Sequence, residues 1–155
     1  MKEELLLMNE KYEEIKSFME AYFKDYNSYA QDAETMPQMD KYWDPDIRVT
    51  AYMKLKYRDY PLQLKNRKDW QHFLIEGHRK IWENLVPREI IIDLAAMKVT
   101  TLLQIKKFDR TNDQQLCDLD GICYYRLNMN GNIPQIRTLD FFTGDPEMFR
   151  QLYAI

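Results

Sequence analysis

The sequence has few of the residue types on which many specialised sites depend. Its 155 residues include four glycines, two cysteines and two histidines. So few glycines leave no glycine-rich loop that could bind the phosphates of a nucleotide. No cysteines and histidines are grouped with the spacing of metal ligands. We therefore expect neither a metal ion nor an organic cofactor.

The two cysteines cannot pair with each other if they share one strand. Cys117 and Cys123 are six residues apart, or about 20 Å in an extended strand at about 3.3 Å per residue, and a disulfide cannot span that distance. Alternation places both on the same strand face as Leu119, Tyr125 and Leu127. We expect two small, buried apolar side chains there.

Long apolar runs and a dominant charge are absent too. The chain starts with the charged residues Lys2, Glu3 and Glu4, and the apolar run over residues 5–8 is too short for a signal peptide or a membrane span. The formal net charge is −3, and the 30% of charged residues have mixed signs, so no basic surface attracts phosphate backbones. We expect a cytoplasmic protein with no membrane and no nucleic-acid partner.

What the sequence does contain is enough apolar side chain for one folded domain. Hydrophobic residues make up 45% of the chain and aromatic residues 14%, which suffices for a core of its own at this length. No repeat, low-complexity tract or linker rich in proline and glycine divides the chain. We expect a single domain over residues 1–155.

The first part of the chain has the spacing of helices. Apolar residues recur at steps of three and four from residue 3 to about residue 30, which predicts a long amphipathic helix. Its largely aromatic stripe consists of Tyr12, Ile15, Phe18, Met19, Tyr22, Phe23 and Tyr26. A short second helix is predicted over residues 36–43, ended by Asp44-Pro45 because the residue before a proline avoids the helical region.

A third helical pattern covers residues 67–85. When residues are placed at about 100° steps, Trp70, Phe73, Leu74, Gly77, Ile81 and Leu85 share an apolar side. The opposite, solvated side contains His72, Glu76, Arg79, Lys80 and Glu83. We expect this helix to cover the sheet with its apolar face.

Alternating apolar and polar residues predict strands elsewhere. The predicted strands are residues 47–57 (one strand or a hairpin of two), 88–94, 97–108, 116–129 and 133–142. Turns are expected near Ala95-Ala96, where the parity of the apolar positions changes, and at Asn130-Gly131, a strong hairpin signal. Asp145-Pro146 predicts the start of a short closing helix over residues 147–152.

This order of elements is an α+β arrangement in which helices cover one face of a curved sheet. It resembles the nuclear transport factor 2-like superfamily and, within it, the SnoaL-like group of polyketide cyclases, isomerases and dehydratases. The resemblance is carried by the stretches YWDPDIRVTAYM, KDWQHFLIEGHRKI and ICYYRLNMNGNIPQIRTLDFF, followed by MFRQLY. Its most specific parts are the strand residues Tyr125-Arg126-Leu127, the turn Gly131-Asn132-Ile133 and a last strand that ends in Asp140.

The resemblance implies a cone-shaped, cystatin-like fold, with a curved mixed or antiparallel sheet covered on its concave face by three or four helices. It also implies a hollow interior that binds a small apolar molecule, and a homodimer formed through the outer face of the sheet. On that face, Arg126 of one chain is expected to meet Asp118 or Asp120 of the other. Solvated charges explain the same pattern almost as well.

His78 is the first candidate catalytic residue. It lies in the apolar arc of the predicted third helix, near Leu74 and Trp82, so its imidazole is expected to face the interior. Partial burial would make its protonation sensitive to its neighbours. The alternative is a core histidine with a structural hydrogen bond. His72, on the solvated side, is not a candidate.

Asp140 is the second candidate, and its role is implied by the resemblance. In cyclase-like relatives an aspartate on the last strand removes a proton next to a carbonyl group. The spacing from Gly131 to Asp140 is one residue short of the usual pattern, which turns the side chain to the other face unless a bulge restores it. A surface or ion-paired carboxylate is the alternative.

Tyr22, Tyr26 and Tyr125 are the candidate ligand-binding residues. Their hydroxyl groups would bind a carbonyl or phenol inside an otherwise apolar interior. An aromatic stripe of this spacing also serves as plain core.

Two functions from different classes stay open. The first is a SnoaL-like protein that binds a small, largely apolar molecule, with or without proton transfer of the isomerase, cyclase or dehydratase type. The second is a non-catalytic dimeric module that docks a protein partner. Polar groups that converge in a closed cavity favour the first, whereas a filled interior with an exposed apolar patch favours the second.

Overall fold

Helices come first in the chain, and long strands make up its second half. The structure, a computed structural model, describes residues 1–53 and 58–143. The elements are helix α1 (Lys2–Gln31), a 3-10 helix (Ala33–Lys41), strands β1 (Trp43–Tyr52) and β2 (Leu62–Leu64), helix α2 (Arg67–Gly77), and strands β3 (Ile81–Asp93), β4 (Lys98–Asp109), β5 (Gln115–Asn130) and β6 (Ile133–Thr143). The predicted closing helix, residues 147–152, and residues 54–57 of the first predicted strand lie outside the described residues.

The strands form one six-stranded mixed sheet in the order β2-β1-β6-β5-β4-β3. β1 runs parallel to β6, and all other neighbours are antiparallel. The β5-β6 hairpin closes at Gly131, whose φ of 65° is a left-handed conformation that glycine adopts at little steric cost. This turn and the one around Ala95-Ala96 confirm the two predicted hairpins.

The core lies between the helices and one face of the sheet. α1 contributes residues at helical spacing, and the strands contribute alternate residues. Residues 2–14 of α1 are exposed, so the buried stripe begins at Ile15, and Tyr12 at its predicted start is 36% exposed. The predicted α+β architecture, with helices against one face of a mixed sheet, is confirmed. Among the described residues, none of the helices combines the length and apolar character needed to cross a membrane.

Helix α2 is shorter than its sequence pattern predicts. It ends at Gly77, and β3 begins at Ile81, so the prediction of helix up to residue 85 is wrong beyond Gly77. β3 pairs with β4 from Ile81 opposite Asp109 to Asp93 opposite Lys98, and this long-range pairing overrides the local helical pattern. Gly77 and the basic residues after it are typical of a helix C-terminus.

The second predicted helix also ends earlier than expected. It is a 3-10 helix that ends at Lys41, and β1 starts at Trp43 and continues through Pro45. The register between β1 and β6 shifts between Trp43 and Arg48. A proline is tolerated at such an irregularity because no ladder hydrogen bond depends on its missing N–H.

Candidate functional site

A cavity of about 250 Å³ lies inside the fold. Its walls come from both α-helices and from β1, β3, β4, β5 and β6, and most of the lining is apolar. The apolar lining consists of Val49, Ala51, Met53, Trp70, Phe73, Leu74, Gly77, Ile81, Leu85, Cys123, Leu139 and Phe141. The polar lining residues are Tyr22, Tyr26, His78, Glu83, Lys107 and Tyr125.

Four buried side chains, three of them on the cavity wall, are joined in a chain of hydrogen bonds. The Tyr29 hydroxyl oxygen lies 2.6 Å from Nδ1 of His78, and Nε2 of His78 lies 3.2 Å from Oε1 of Glu83. The Tyr26 hydroxyl donates to the same Glu83 oxygen. A buried carboxylate normally costs several kcal/mol unless it is paired and hydrogen-bonded, and Glu83 has both kinds of partner.

The surroundings of Glu83 keep it ionised. Burial by itself raises the pKa of its carboxyl group, but the hydrogen bond and charge of His78, followed by the charge of Lys107, bring the pKa below its ordinary value of 4.5. Burial and the negative charge of Glu83 raise the pKa of Tyr26 well above its ordinary value. Glu83 is therefore an acceptor and Tyr26 a donor at neutral pH.

The end of α1 is tied to the strand that carries Glu83. The Asn27 side chain accepts from the backbone N–H of Leu85 at 2.8 Å and donates to its carbonyl oxygen at 2.9 Å. β3 is an edge strand of the sheet, so these bonds occupy backbone groups that no neighbouring strand pairs on that side. These two hydrogen bonds fix the position of α1 along β3 and so place Tyr26 beside Glu83.

Arg110, in the turn after β4, holds the C-terminal ends of both α-helices. Its guanidinium group donates to the carbonyl oxygens of Ala30 at 2.6 Å, Gln31 at 3.0 Å and His78 at 2.6 Å. Its backbone N–H donates to the carbonyl of Lys80 at 3.0 Å. A cation at helix C-termini is also favoured by the helix dipole. Arg110 thereby fixes the backbone of His78 relative to α1.

The structure places four of the five predicted site residues on the cavity wall: His78, Tyr22, Tyr26 and Tyr125. Tyr22 and Tyr125 pack edge to face, with ring centroids 5.9 Å apart, and burial raises the pKa of both hydroxyls. His78 reaches the cavity as the residue that caps the C-terminus of α2, not from within a helix. Trp82, its predicted helical neighbour, stacks instead on Phe108.

Asp140 is the predicted site residue that the structure does not bring to the cavity. In β6 the register shifts because Arg137 is an extra residue between Ile136, opposite Leu127, and Thr138, opposite Arg126. After this bulge Leu139 and Phe141 line the cavity, so by alternation the Asp140 side chain lies on the other face. The Arg137 guanidinium lies 3.2 Å from Oδ1 of Asp44 and donates to the Asp46 carbonyl at 2.6 Å, contacts that hold the bulge.

The sequence prediction missed Glu83, Lys107 and Arg110. Lys107 shares the odd parity of Val99, Leu103 and Ile105 on a strand that was predicted, and this parity signals that it faces inward. Glu83 was assigned to the solvated side of a helix, but a helix stop at Gly77 would have left it alternating with Leu85 on a strand. No periodic pattern signals the role of Arg110. The structure contains no group of acidic, histidine or cysteine side chains suited to a metal within residues 1–53 and 58–143.

The prediction of two buried cysteines is confirmed for Cys123 and wrong for Cys117, which is half-buried. Neither forms a disulfide, and Cys123 is buried on the inward face of β5, where burial raises the pKa of its thiol to about 12. A thiol with so high a pKa is a poor nucleophile at neutral pH. Cys123 therefore contributes to the apolar part of the cavity wall.

Comparison with solved structures identifies the fold. The chain is similar to a candidate isomerase from Rhodopseudomonas palustris, with a TM-score of 0.68 and 6% identity over 89% of this chain and 97% of the other. It is also similar to a candidate SnoaL-like polyketide cyclase from Shewanella denitrificans, with a TM-score of 0.61 and 12% identity over 90% of this chain and 97% of the other. An NTF2-like protein of unknown function from Exiguobacterium has a TM-score of 0.59 and 13% identity, over 83% of this chain and 98% of the other.

Sequence comparison alone gives no such relation. No protein-family model matches the chain, and no curated protein matches it in sequence. The fold is therefore identified by the shared architecture alone, which extends over more than four fifths of each chain in all three pairs. On this ground the chain has the nuclear transport factor 2-like fold, with SnoaL-like cyclases among its structural neighbours.

Proposed function

We propose that this protein binds a small, largely apolar molecule in its cavity and moves a proton on it, as isomerases, cyclases and dehydratases do. One observation carries the proposal: an ionised carboxylate, Glu83, lies in the wall of a mostly apolar cavity and is held there by His78 and Tyr26. A carboxylate that is ionised and held in one orientation can act as a general base, because it is ready to accept a proton.

The proposed reaction needs no oxidant and no cofactor. Glu83 takes a proton from a carbon next to a carbonyl group, and the electron pair of the broken C–H bond forms a carbon–carbon double bond. The π pair of the carbonyl moves to its oxygen. If the ligand has a further carbon–carbon double bond conjugated with the new one, return of the proton at its far carbon restores the carbonyl and leaves an isomer of the starting molecule. In a ketone without that bond the proton returns to the same carbon, and the reaction is seen as proton exchange.

His78 and Tyr26 act as positioning residues in this proposal. Both bond to Oε1 of Glu83, so the second carboxylate oxygen is the one left to meet the ligand. Two donors on one oxygen fix the rotation of the carboxylate and keep it available without substrate present. The proton-transfer reaction agrees with what two structural neighbours are described as, an isomerase and a cyclase.

A partner-docking module is the less favoured function. An interior packed solid would support it, whereas this interior holds a cavity with polar groups on its wall. The exposed apolar side chains on the sheet are better explained by a second copy of the chain.

We propose a homodimer, acting in the cytoplasm, that forms through the outer face of the sheet. Ile122 and Tyr124 of β5 and Phe142 of β6 are 44%, 39% and 42% exposed on that face. The predicted Arg126 contacts across the dimer compete with bonds inside the chain, since Arg88 lies 3.3 Å from Asp120 and Gln104 donates to Asp118 at 3.0 Å.

Deuterium exchange tests the proposed chemistry. We expect the protein to bind 2-tetralone, a two-ring ketone with acidic C–H bonds, and to speed exchange of its α-protons in D₂O. Glu83→Gln should lower the exchange rate at least about a hundredfold, the usual share of a general base, with binding retained. Asp140→Asn, on the other face of β6, is the matched control and should change neither.

Two results would contradict these proposals. Exchange that is as fast with Glu83→Gln as with the natural protein would remove Glu83 as the base. For the dimer, sedimentation at micromolar concentration should show a dimer that Tyr124→Lys converts to monomer, and a natural protein that sediments only as monomer would rule it out.

A further inference from the structure

Lys107 is the cation nearest to Glu83 along the sheet. It lies on β4 directly opposite Glu83 on β3 in the antiparallel register. Side chains at such opposed positions have Cβ atoms about 5 Å apart and point to the same face. Both residues line the cavity, and the charge of Lys107 helps to lower the pKa of Glu83, so an acidic and a basic side chain extend from neighbouring positions of one wall.

The cavity wall therefore has one charged area, at Glu83 and Lys107, and is mostly apolar elsewhere. Among the described lining residues, Glu83 is the one carboxylic acid and Lys107 the one lysine or arginine. Lys107 is half-buried and belongs to the inward-facing series of β4, after Leu103 and Ile105. Its ammonium group has three donor hydrogens, so it can stay close to Glu83 and still offer a hydrogen bond to a ligand.

We infer that Lys107 binds an acceptor oxygen of the ligand, so that the cavity selects apolar molecules with a carbonyl group over the same ring systems without one. This inference rests on the proposed function and names the residue that holds the substrate oxygen. In a ketone, the carbonyl oxygen and the acidic hydrogen are bonded to adjacent carbon atoms. The two side chains suit these two atoms, since the Lys107 ammonium can donate to the oxygen and the Glu83 carboxylate can accept the hydrogen.

The same arrangement stabilises the charge that proton transfer creates. When Glu83 accepts a proton it becomes neutral, and negative charge appears on the ligand oxygen beside Lys107. The ammonium group then keeps an anionic partner throughout, first Glu83 and afterwards the oxygen. A charge that is placed in advance where negative charge develops is an effective form of stabilisation in a site with little water.

Two probes that differ only in the carbonyl test the inference. Tetralin and 2-tetralone have the same two rings, and their dissociation constants can be measured by NMR titration. We expect the natural protein to prefer 2-tetralone. Lys107→Met should weaken 2-tetralone binding about tenfold or more, the range of a charged hydrogen bond, and should change tetralin binding less than about twofold. Lys107→Arg keeps the charge and should retain most of the preference.

Lys106→Met is the matched control. Lys106 is the preceding residue of β4, opposite Asn84, and by alternation it faces away from the cavity. The Lys106→Met variant should therefore bind both probes with unchanged affinity. Tetralin binding also reports that the Lys107 variants are folded. If tetralin binds and Lys107→Met does not reduce the preference for 2-tetralone, this inference is overturned and the proposed function stands. If neither probe binds the natural protein, the proposed function fails as well.

Discussion

Nε2 of His78 lies 3.2 Å from Oε1 of Glu83, although the first residue caps a helix and the second lies on a strand. The short connection between α2 and β3 brings the two together, and Arg110 fixes the backbone of His78 from the other side. Since an ionised carboxylate only accepts, the imidazole must donate from Nε2. In the neutral imidazole, Nδ1 is then the acceptor for the Tyr29 hydroxyl.

We therefore expect neutral His78 to exist in a single tautomer, protonated at Nε2. Histidine tautomers are distinguishable by the nitrogen chemical shifts of the ring, so the measurement is a nitrogen–proton correlation spectrum at pH 8. His72 is exposed and is the internal control, with the mixed tautomers of a solvated imidazole. A His78 spectrum that shows protonation at Nδ1, or a mixture like that of His72, would contradict the hydrogen-bonded chain.

Glu83 should make folding stability depend on pH on the acid side. Its pKa in the folded protein lies below the ordinary value of 4.5, although burial opposes this shift, because His78 and Lys107 favour the ionised form. Its contribution to stability is present above the unfolded pKa and is lost as the pH falls through the folded one. We expect the stability gap between the natural protein and Glu83→Gln to shrink over a window that opens near the ordinary value of 4.5 and extends downward through the lower pKa of the folded protein.

Urea unfolding at several pH values measures this gap. Glu89→Gln is a suitable control, since Glu89 is an exposed carboxylate on the same strand and should contribute little at any of these values. A gap that stays constant across the window would mean that Glu83 has the same pKa in the folded and unfolded chains.

The parts of the fold that the sequence predicts are those with a local period. The inward faces of β4 and β5 follow from strict alternation, and the β5-β6 turn follows from a glycine with positive φ. Tyr22 and Tyr26 of α1 reach the cavity because the helical spacing of the buried residues is uninterrupted between Ile15 and Ala30. Local side-chain periodicity was sufficient for these elements.

The missed parts depend on contacts between distant segments. Residues 78–85 fit a helical pattern, and only pairing with β4 makes Glu83 a strand residue that faces inward. Arg110 acquires its role from three carbonyl groups contributed by the ends of two helices. The face of Asp140 is decided by one extra residue, Arg137, whose anchors are Asp44 and Asp46 on another strand. Such long-range contacts leave no periodic trace in the sequence.

Arg110 should stabilise the fold and position His78 through the three carbonyl groups it binds. We expect Arg110→Met to lower the free energy of unfolding by about 2–3 kcal/mol, since hydrogen bonds from a charged donor are lost and carbonyls are left unpaired. Proton exchange of a bound ketone should slow more than its binding weakens. Arg110→Lys loses the planar guanidinium group but keeps a positive charge that can donate to a carbonyl oxygen. Restored exchange in this variant would support a positioning role for the cation at residue 110.

Arg88→Met is the control for Arg110. The ion pair of Arg88 with Asp120 lies on the exposed sheet surface, where the two side chains are 56% and 80% exposed, and such pairs contribute less than about 1 kcal/mol. Urea unfolding of both variants makes the comparison. Equal losses of stability would show that the three carbonyl bonds of Arg110 contribute no more than a surface pair.

Gly121 on β5 should not tolerate a side chain, because a Cβ atom there would overlap Cδ1 of Ile105 and lie 3.3 Å from the carbonyl oxygen of Phe142. We expect Gly121→Ala to cost about 1–3 kcal/mol in urea unfolding. Ile105→Val removes the overlapping methyl group and alone costs about 0.5–1.5 kcal/mol, so the double variant should lose less than the sum of both. Gly77→Ala, with no atom within 4 Å of the added Cβ, is the control and should leave stability unchanged or slightly higher. Additive losses in the double variant would show that Ile105 is not what excludes a side chain at Gly121.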